Sequence, residues 1–245
     1  MNKIACTHPG RLGDAIYALP AIKKVCQMRE ALADFYTSKY CKPLERLFGY
    51  QSYIYGFYMP DNYQIERMDM GVQPWRVPVD IGLYDMTYHM GFRTVPDKAI
   101  PDFIMESTGL PTPAKVEYEY PDFETDSEPY IIVAPRGETS FKKLFCDFII
   151  NCPITCYVVG ADNDDIGYGV DITGMDLLET TTWISKSKGF VGLMSSQLAL
   201  ANGFDIPKIA PHDGIHWDMR HVIYSDTNFY PVNPTVNDLI KILGL

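Results

Sequence analysis

The sequence predicts an α/β chain built as two Rossmann-like domains, each around a parallel sheet. Three observations predict it. Short apolar strand patterns alternate with longer helix patterns through the first half, a proline-rich acidic stretch interrupts the alternation, and the same grammar then resumes. In open parallel sheets, ligands bind beyond the carboxyl ends of the strands. The loops from strand to helix are therefore the places to look for chemistry.

Lys3 to Thr7 reads as a first strand, Ala15 to about Arg29 as a helix, and Ala33 to Thr37 as a second strand. A helix around Pro43 to Phe48 and strands at Tyr53 to Tyr58 and Tyr84 to Met90 follow. Pro60 to Asp80 mixes Met, Pro, Trp and Gly without a period and is read as an irregular excursion. Pro111 to Glu128, rich in Pro and acidic residues, suits an extended connector, which gives domains at 1–115 and 116–245. Beyond it come strand Tyr130 to Ala134, a helix around Phe141 to Ile149, strand Thr155 to Val159 with a turn at Gly160, and strand Val170 to Ile172. Helix Leu177 to Ser185, strand Gly189 to Gly192, helix Ser195 to Asn202, strand Lys208 to Ala210 and helix Val236 to Leu243 complete the series.

The 245 residues, 47% of them hydrophobic, suffice for real cores in one large or two small domains. No apolar run reaches the roughly 18 residues of a membrane helix, and the N-terminus does not read as a signal peptide, so no membrane span and a cytoplasmic address are expected. Six cysteines without a C-x-x-C pair, several in apolar runs, are expected as reduced thiols. A formal charge of -10 repels polyanions at long range and argues against a broad nucleic-acid footprint, while leaving room for a local basic cleft.

The first strand-to-helix loop is His8-Pro9-Gly10-Arg11-Leu12-Gly13-Asp14. Gly10 and Gly13 allow tight backbone and close approach of a ligand. Asp14 falls at the helix start, where amide donors and the positive dipole end stabilise a carboxylate, so plain N-capping is one reading of it. The loop lacks the G-x-G-x-x-G spacing of a dinucleotide fingerprint.

From Gly10 to Val25 the chain reads Gly-Arg-Leu-Gly-Asp-Ala-Ile-Tyr-Ala-Leu-Pro-Ala-Ile-Lys-Lys-Val. This resembles the opening of the heptosyltransferase-like glycosyltransferases, family 9 of the GT-B class, in which G-D-hydrophobic-x-x-x-P-A-hydrophobic follows the first strand. The resemblance implies a GT-B fold, two Rossmann-like domains with parallel sheets facing across a cleft. It further implies metal-independent, inverting transfer of a sugar from a nucleotide-sugar, with Asp14 as general base on the acceptor hydroxyl. A carboxylate in a dry cleft has its pKa raised toward working pH, as that role needs. No cofactor is implied beyond the nucleotide-sugar co-substrate. His8, Arg11 and Gly13, with His212 after the strand Lys208 to Ala210, are the candidates to line the cleft and meet the acceptor.

In the second half, Ile131 to Lys143 ends a buried strand and opens a loop dense in hydroxyls and cations. The resemblance places the donor phosphates here, with Arg136, Thr139, Ser140, Lys142 and Lys143 as candidates; the alternative is a solvated basic start to a surface helix. Asp171-Ile-Thr-Gly174, Leu177-Leu178-Glu179, Phe190-Val-Gly192 and Ile206-Pro207-Lys208 follow the family's order. Ser195 and Ser196, at a helix start, suit phosphate or plain capping. Where the family shows D-[ST]-G-x-x-H, this chain has Met194-Ser195-Ser196-Gln197-Leu198-Ala199, without the aspartate, glycine and histidine. That departure leaves the donor sugar and nucleotide open.

His212, Asp213, His216 and His221 form a cluster that reads either as a metal site or, with Pro211 and Gly214 opposing a helix, as loop residues of the cleft. No metal is expected. The tyrosines dense from Tyr50 to Tyr63 suit stacking on a sugar or base, or simply core. The acceptor is open among a glycan such as lipopolysaccharide core, a modified DNA base, a protein side chain and a small molecule. Two competing readings share the fold: a nucleotide-sugar epimerase or hydrolase, and a non-catalytic nucleotide- or sugar-binding module.

Overall fold

The computed structural model describes residues 2–61, 76–94, 96–135, 141–162, 164–214 and 228–245. The chain forms two compact units, the first running to Tyr120 and the second beginning at Pro121.

In the first unit β1 (Asn2–Thr7), β2 (Ala31–Tyr36), β3 (Ile54–Tyr58) and β4 (Met86–His89) form a parallel sheet in the order β3-β2-β1-β4. The long helix α1 (Leu12–Arg29) buries every residue from Ala15 to Ile22, with Val25 and Cys26 beyond, so its first half is enclosed on all sides rather than along one stripe. It starts earlier than the pattern from Ala15 suggests and continues through Pro20, whose missing N–H forfeits one bond without breaking the helix. The expected helix near Pro43 is a 3-10 turn, Lys39–Leu44, leading into α2 (Glu45–Gly49). A further helix, α3 (Ile100–Ser107), has no counterpart in the sequence reading; it buries Ile100, Pro101, Ile104 and Met105 and packs on α1. Most of the expected irregular excursion at Pro60 to Asp80 lies outside the described residues, and its described ends carry neither helix nor strand.

The stretch Pro111 to Glu128 has no helix or strand, yet it is fastened at both ends. Val116 is buried, Lys23 lies 3.3 Å from Glu117, and the backbone of Glu119 exchanges two 2.8 Å hydrogen bonds with the Gln51 amide. Past Tyr120, the Pro121 carbonyl accepts from Thr182 and the Phe123 carbonyl from Lys186, each at 2.7 Å, within the second unit.

The second unit contains β5 (Tyr130–Ala134), α4 (Lys142–Asn151), β6 (Thr155–Val158), β7 (Val170–Asp171), α5 (Leu177–Lys186), β8 (Gly189–Gly192), α6 (Ser196–Ala201), β9 (Lys208–Ile209), β10 (Asn228–Phe229) and α7 (Val236–Leu243). Its sheet runs β10-β9-β8-β5-β6-β7, every pair parallel. Counted from the β7 edge this is the 3-2-1-4-5-6 order of a Rossmann domain. All five residues of β5 are buried, as a central parallel strand requires. Phe145 and Phe148 of α4 join Ile131, Val133, Val191, Ile209, Leu239 and Leu243 in one core cluster. Phe145 is fully buried there, so Phe145→Ala is expected to cost about 3–5 kcal/mol, read as a lowered midpoint in urea unfolding. Among the described elements of the second unit, only β10, two residues long, was not expected from the sequence.

Among the described residues no helix is long and apolar enough to cross a membrane. All six cysteines are free thiols.

Candidate functional site

In the first unit, β2 and β3 lie on one side of β1 and β4 on the other, so the chain changes direction between β1 and β4. At the carboxyl end of this switch point, where such sheets bind ligands, the Thr7 hydroxyl and His89 Nδ1 are hydrogen-bonded at 2.8 Å. His89 is half-buried; burial first, then the positive charges of Arg76 and Arg93, lower its pKa. Sequence reasoning passed over His89. A histidine near the end of the strand pattern Tyr84 to Met90 was the available signal.

The loop after β1 is shaped by His8 and Gly10. Gly10 takes a left-handed φ of 99°, and a Cβ there would stand 2.5 Å from Cys41 Sγ and 3.0 Å from Ser38 Oγ. Its N–H donates to His8 Nδ1 at 3.0 Å. His8 is 1% exposed, packs edge-on against Phe92 at 5.5 Å, and has its pKa lowered to about 3 by burial. Instead of lining an open surface, His8 turns inward as a neutral ring that holds the loop. Gly13 also departs from expectation, since it is the second residue of α1 and only Gly10 uses the special backbone.

Arg11, exposed and extended, is the N-cap residue of α1, which places Asp14 inside the first turn. Asp14 is therefore not the cap; its side chain makes no capping bond, and its carboxylate sits at the positive end of the helix. Part of its surface is open to solvent. Burial nonetheless raises its pKa from 3.8 to about 6, with the Arg11 guanidinium pulling the other way. A carboxyl that ionises near 6 is both charged at neutral pH and basic enough to take a proton from a hydroxyl.

In the second unit the switch point lies between β5 and β8, which approach closely: a Cβ on Gly192 would stand 2.8 Å from the Ala134 carbonyl oxygen. Arg136, Thr139 and Ser140, in the loop after β5, lie outside the described residues. Lys142 and Lys143 form the first turn of α4, and among the described residues no side chain caps that helix start. Lys143 is paired with Asp147 one turn on, with its side chain 85% exposed. After β8, Ser195 caps α6 by accepting from the Leu198 N–H, which realises the capping reading. Ser196 is 6% exposed and donates to Gln197 Oε1, so its hydroxyl faces inward. Lys142, Lys143 and Ser195 are thus brought to one switch point, and Ser196 is turned away from its surface.

Lys208 of β9 is also buried, and its ammonium donates to the carbonyls of Phe204 and Ile206 at 2.7 and 2.8 Å. Burial lowers its pKa to about 8, and its charge pins the turn after α6. His212 is bridged to Val232, and its Nδ1 accepts from the Gly214 N–H at 3.1 Å, so one ring nitrogen is committed to the turn. His216 and His221 lie outside the described residues. Among the described residues no group of three or more His, Cys, Asp or Glu side chains could hold a metal ion. The tyrosines divide: Tyr53 is buried, while Tyr58 stacks on Tyr36 with ring centroids 4.9 Å apart and stays partly exposed.

No protein-family model and no curated protein sequence matches the chain. Solved structures do match. Escherichia coli heptosyltransferase WaaC, solved with ADP, aligns with a TM-score of 0.67 at 12% identity, over 99% of both chains. The iron-containing dodecameric glycosyltransferase TibC of enterotoxigenic E. coli H10407 aligns with a TM-score of 0.69 at 14% identity. That match covers 95% of this chain, which spans only 65% of TibC. A family 9 glycosyl transferase from Veillonella parvula DSM 2008 aligns with a TM-score of 0.67 at 11% identity, over 99% of this chain and 89% of its own. With two parallel-sheet units and these neighbours, the chain has the GT-B fold of the family 9 heptosyltransferases.

Proposed function

We propose that the protein is a glycosyltransferase that moves a sugar from a nucleotide-sugar to an acceptor hydroxyl, metal-independent and inverting. The observation that carries this reading is Asp14, a carboxyl in the first turn of α1 whose pKa is raised to about 6. Asp14 takes the acceptor's proton as its oxygen attacks the anomeric carbon, and the nucleoside diphosphate leaves from the opposite face of the sugar. Lys142, Lys143 and the first-turn amides of α4 supply positive charge and donors to that leaving group. WaaC and TibC have been solved with ADP or ADP-heptose, which supports an ADP-linked sugar as the first donor to try. The acceptor is drawn from glycans, modified DNA bases, protein side chains and small hydroxylated molecules.

A non-catalytic binding module is favoured by one specific observation: Ser195 is committed to capping and Ser196 is buried, where the family pattern has aspartate and histidine nearby. A thermal-shift panel of nucleotides and nucleotide-sugars followed by an assay of nucleotide release separates the two. At about a hundredfold excess over Kd, a true donor is expected to add about 2.7 kcal/mol, a rise of roughly 5–10 °C for a chain of this size. Stabilisation together with acceptor-dependent release supports transfer. Binding with no release under any acceptor supports the module, free sugar without an acceptor supports a hydrolase, and no stabilisation by any member sinks the donor assignment.

A further inference from the structure

At the amino ends of β5, β6 and β7, opposite the switch point of the second unit, lies an open surface cavity of about 620 Å³. Its size is that of a ligand pocket rather than a surface dimple. Glu128 and Pro129, leading into β5, form one side, and Ile149 and Ile150 in the last turn of α4 form another. The turn from Pro153 to Cys156 and the segment Tyr168 to Val170 complete the wall. Tyr168 stands between Gly167 and Gly169, both left-handed at φ 76° and 80°, and a Cβ on Gly169 would come within 2.8 Å of the Cys156 carbonyl oxygen. Around this tight turn Ile150 is 59% exposed, Tyr168 46% and Val170 44%. Large apolar side chains left in water about one cavity mark an interaction surface.

The charge near the cavity is of one sign. Glu128 is the one charged residue of its described lining, and Asp126, Asp165 and Asp171 lie in the segments that build its walls. The sequence has no Lys, Arg or His between Lys115 and Arg136 or between Lys143 and Lys186. Lys143 and Lys186 are themselves paired, with Asp147 and Asp122. We infer that this cavity docks a protein segment presenting a large apolar side chain flanked by lysine or arginine. The apolar walls take the anchor out of water, and the acidic segments attract the flanking cations and steer the encounter. The same field, with a formal charge of -10 over the chain, repels a second copy, an anionic lipid surface and nucleic acid. Docking at the amino ends of the strands leaves the switch point of this unit open.

The test is a selection of random short peptides, displayed on phage, against the immobilised full chain. Each round is depleted on Ile150→Asp, which makes the face no less acidic but spoils its apolar wall. Expected winners carry an aromatic or large aliphatic residue between lysines or arginines. A labelled winner is expected to give a saturable anisotropy titration with the wild type and to weaken as salt is raised. Glu128→Lys and Tyr168→Ala, both at exposed side chains, are each expected to cost at least about tenfold in affinity. Amide hydrogen exchange should slow on binding at Ile149 to Cys156 and Tyr168 to Val170. Winners without basic residues, affinity unchanged by both variants, or protection confined to other segments would each overturn the inference. So would a selection with no winner surviving depletion, or a wild-type dimer that Ile150→Asp dissolves, since the face would then belong to a second copy. The exchange map of the wild type decides even if a variant fails to fold.

Discussion

Asp14→Asn is expected to lower sugar transfer at least about a hundredfold, the low end for loss of a general base, while leaving nucleotide-sugar binding intact. The same change is expected to stabilise the protein. In the unfolded chain an aspartate ionises near 3.8, whereas in the fold Asp14 ionises near 6. The folded pKa is therefore the higher one. No penalty exists below the unfolded value; it grows as pH rises from about 3.8 to about 6, and it is present in full at neutral pH. The difference between 3.8 and about 6 corresponds to about 3 kcal/mol, which partial exposure of the side chain discounts to about 1–2 kcal/mol. The variant should thus melt a few degrees higher than wild type at pH 7.5 and at nearly the same temperature below pH 4. Wild-type transfer under donor saturation should fall about tenfold per unit below pH 6 and be flat above it. A stable variant with undiminished transfer refutes the assigned base, and unchanged melting would mean that the carboxylate is not desolvated.

Gly10→Ala is expected to destabilise the first unit by about 2–4 kcal/mol and to depress transfer through the loop it distorts. Two costs combine. An L side chain is strained at φ 99°, and the new methyl would meet Cys41 Sγ and Ser38 Oγ, both on fully buried residues with little freedom to retreat. The Gly10 N–H bond to His8 is also at risk, and with it the inward placement of the imidazole. Urea unfolding followed by tyrosine and tryptophan fluorescence reads the loss. A variant within about 0.5 kcal/mol of wild type would mean that the loop relaxes freely.

Most of the architecture was legible because its determinants are local. Buried parallel strands such as β5 announce themselves as unbroken apolar runs, α1 as a long apolar segment, and α7 as an amphipathic one. What was missed is short. The eight residues of α3 begin at Ile100-Pro101 and lean on α1 for their stability, and β10 is two residues held by pairing to β9. The site was legible in position more than in detail. Asp14 was expected at the helix boundary and lies inside the first turn, because the helix begins at Leu12. His8 reads as a polar loop residue, but the left-handed turn at Gly10 folds it into the core, a tertiary outcome that no local pattern encodes. His89 escaped notice because its meaning depends on β4 lying beside β1, a long-range pairing.

The pairing of β5 with β8 carries a kinetic consequence. It aligns Ile131 with Gly189 and Ala134 with Gly192, residues far apart in sequence, and so closes a large loop containing α4, β6, β7 and α5. Closing such a loop comes late, since its entropy must be met before the contacts repay it. Lys142 on α4 and Ser195 after β8 become neighbours of one switch point only when that pairing forms. During refolding, helical signal should therefore return before affinity for nucleotide, and a fluorescent nucleotide would time the docking of the last central strand.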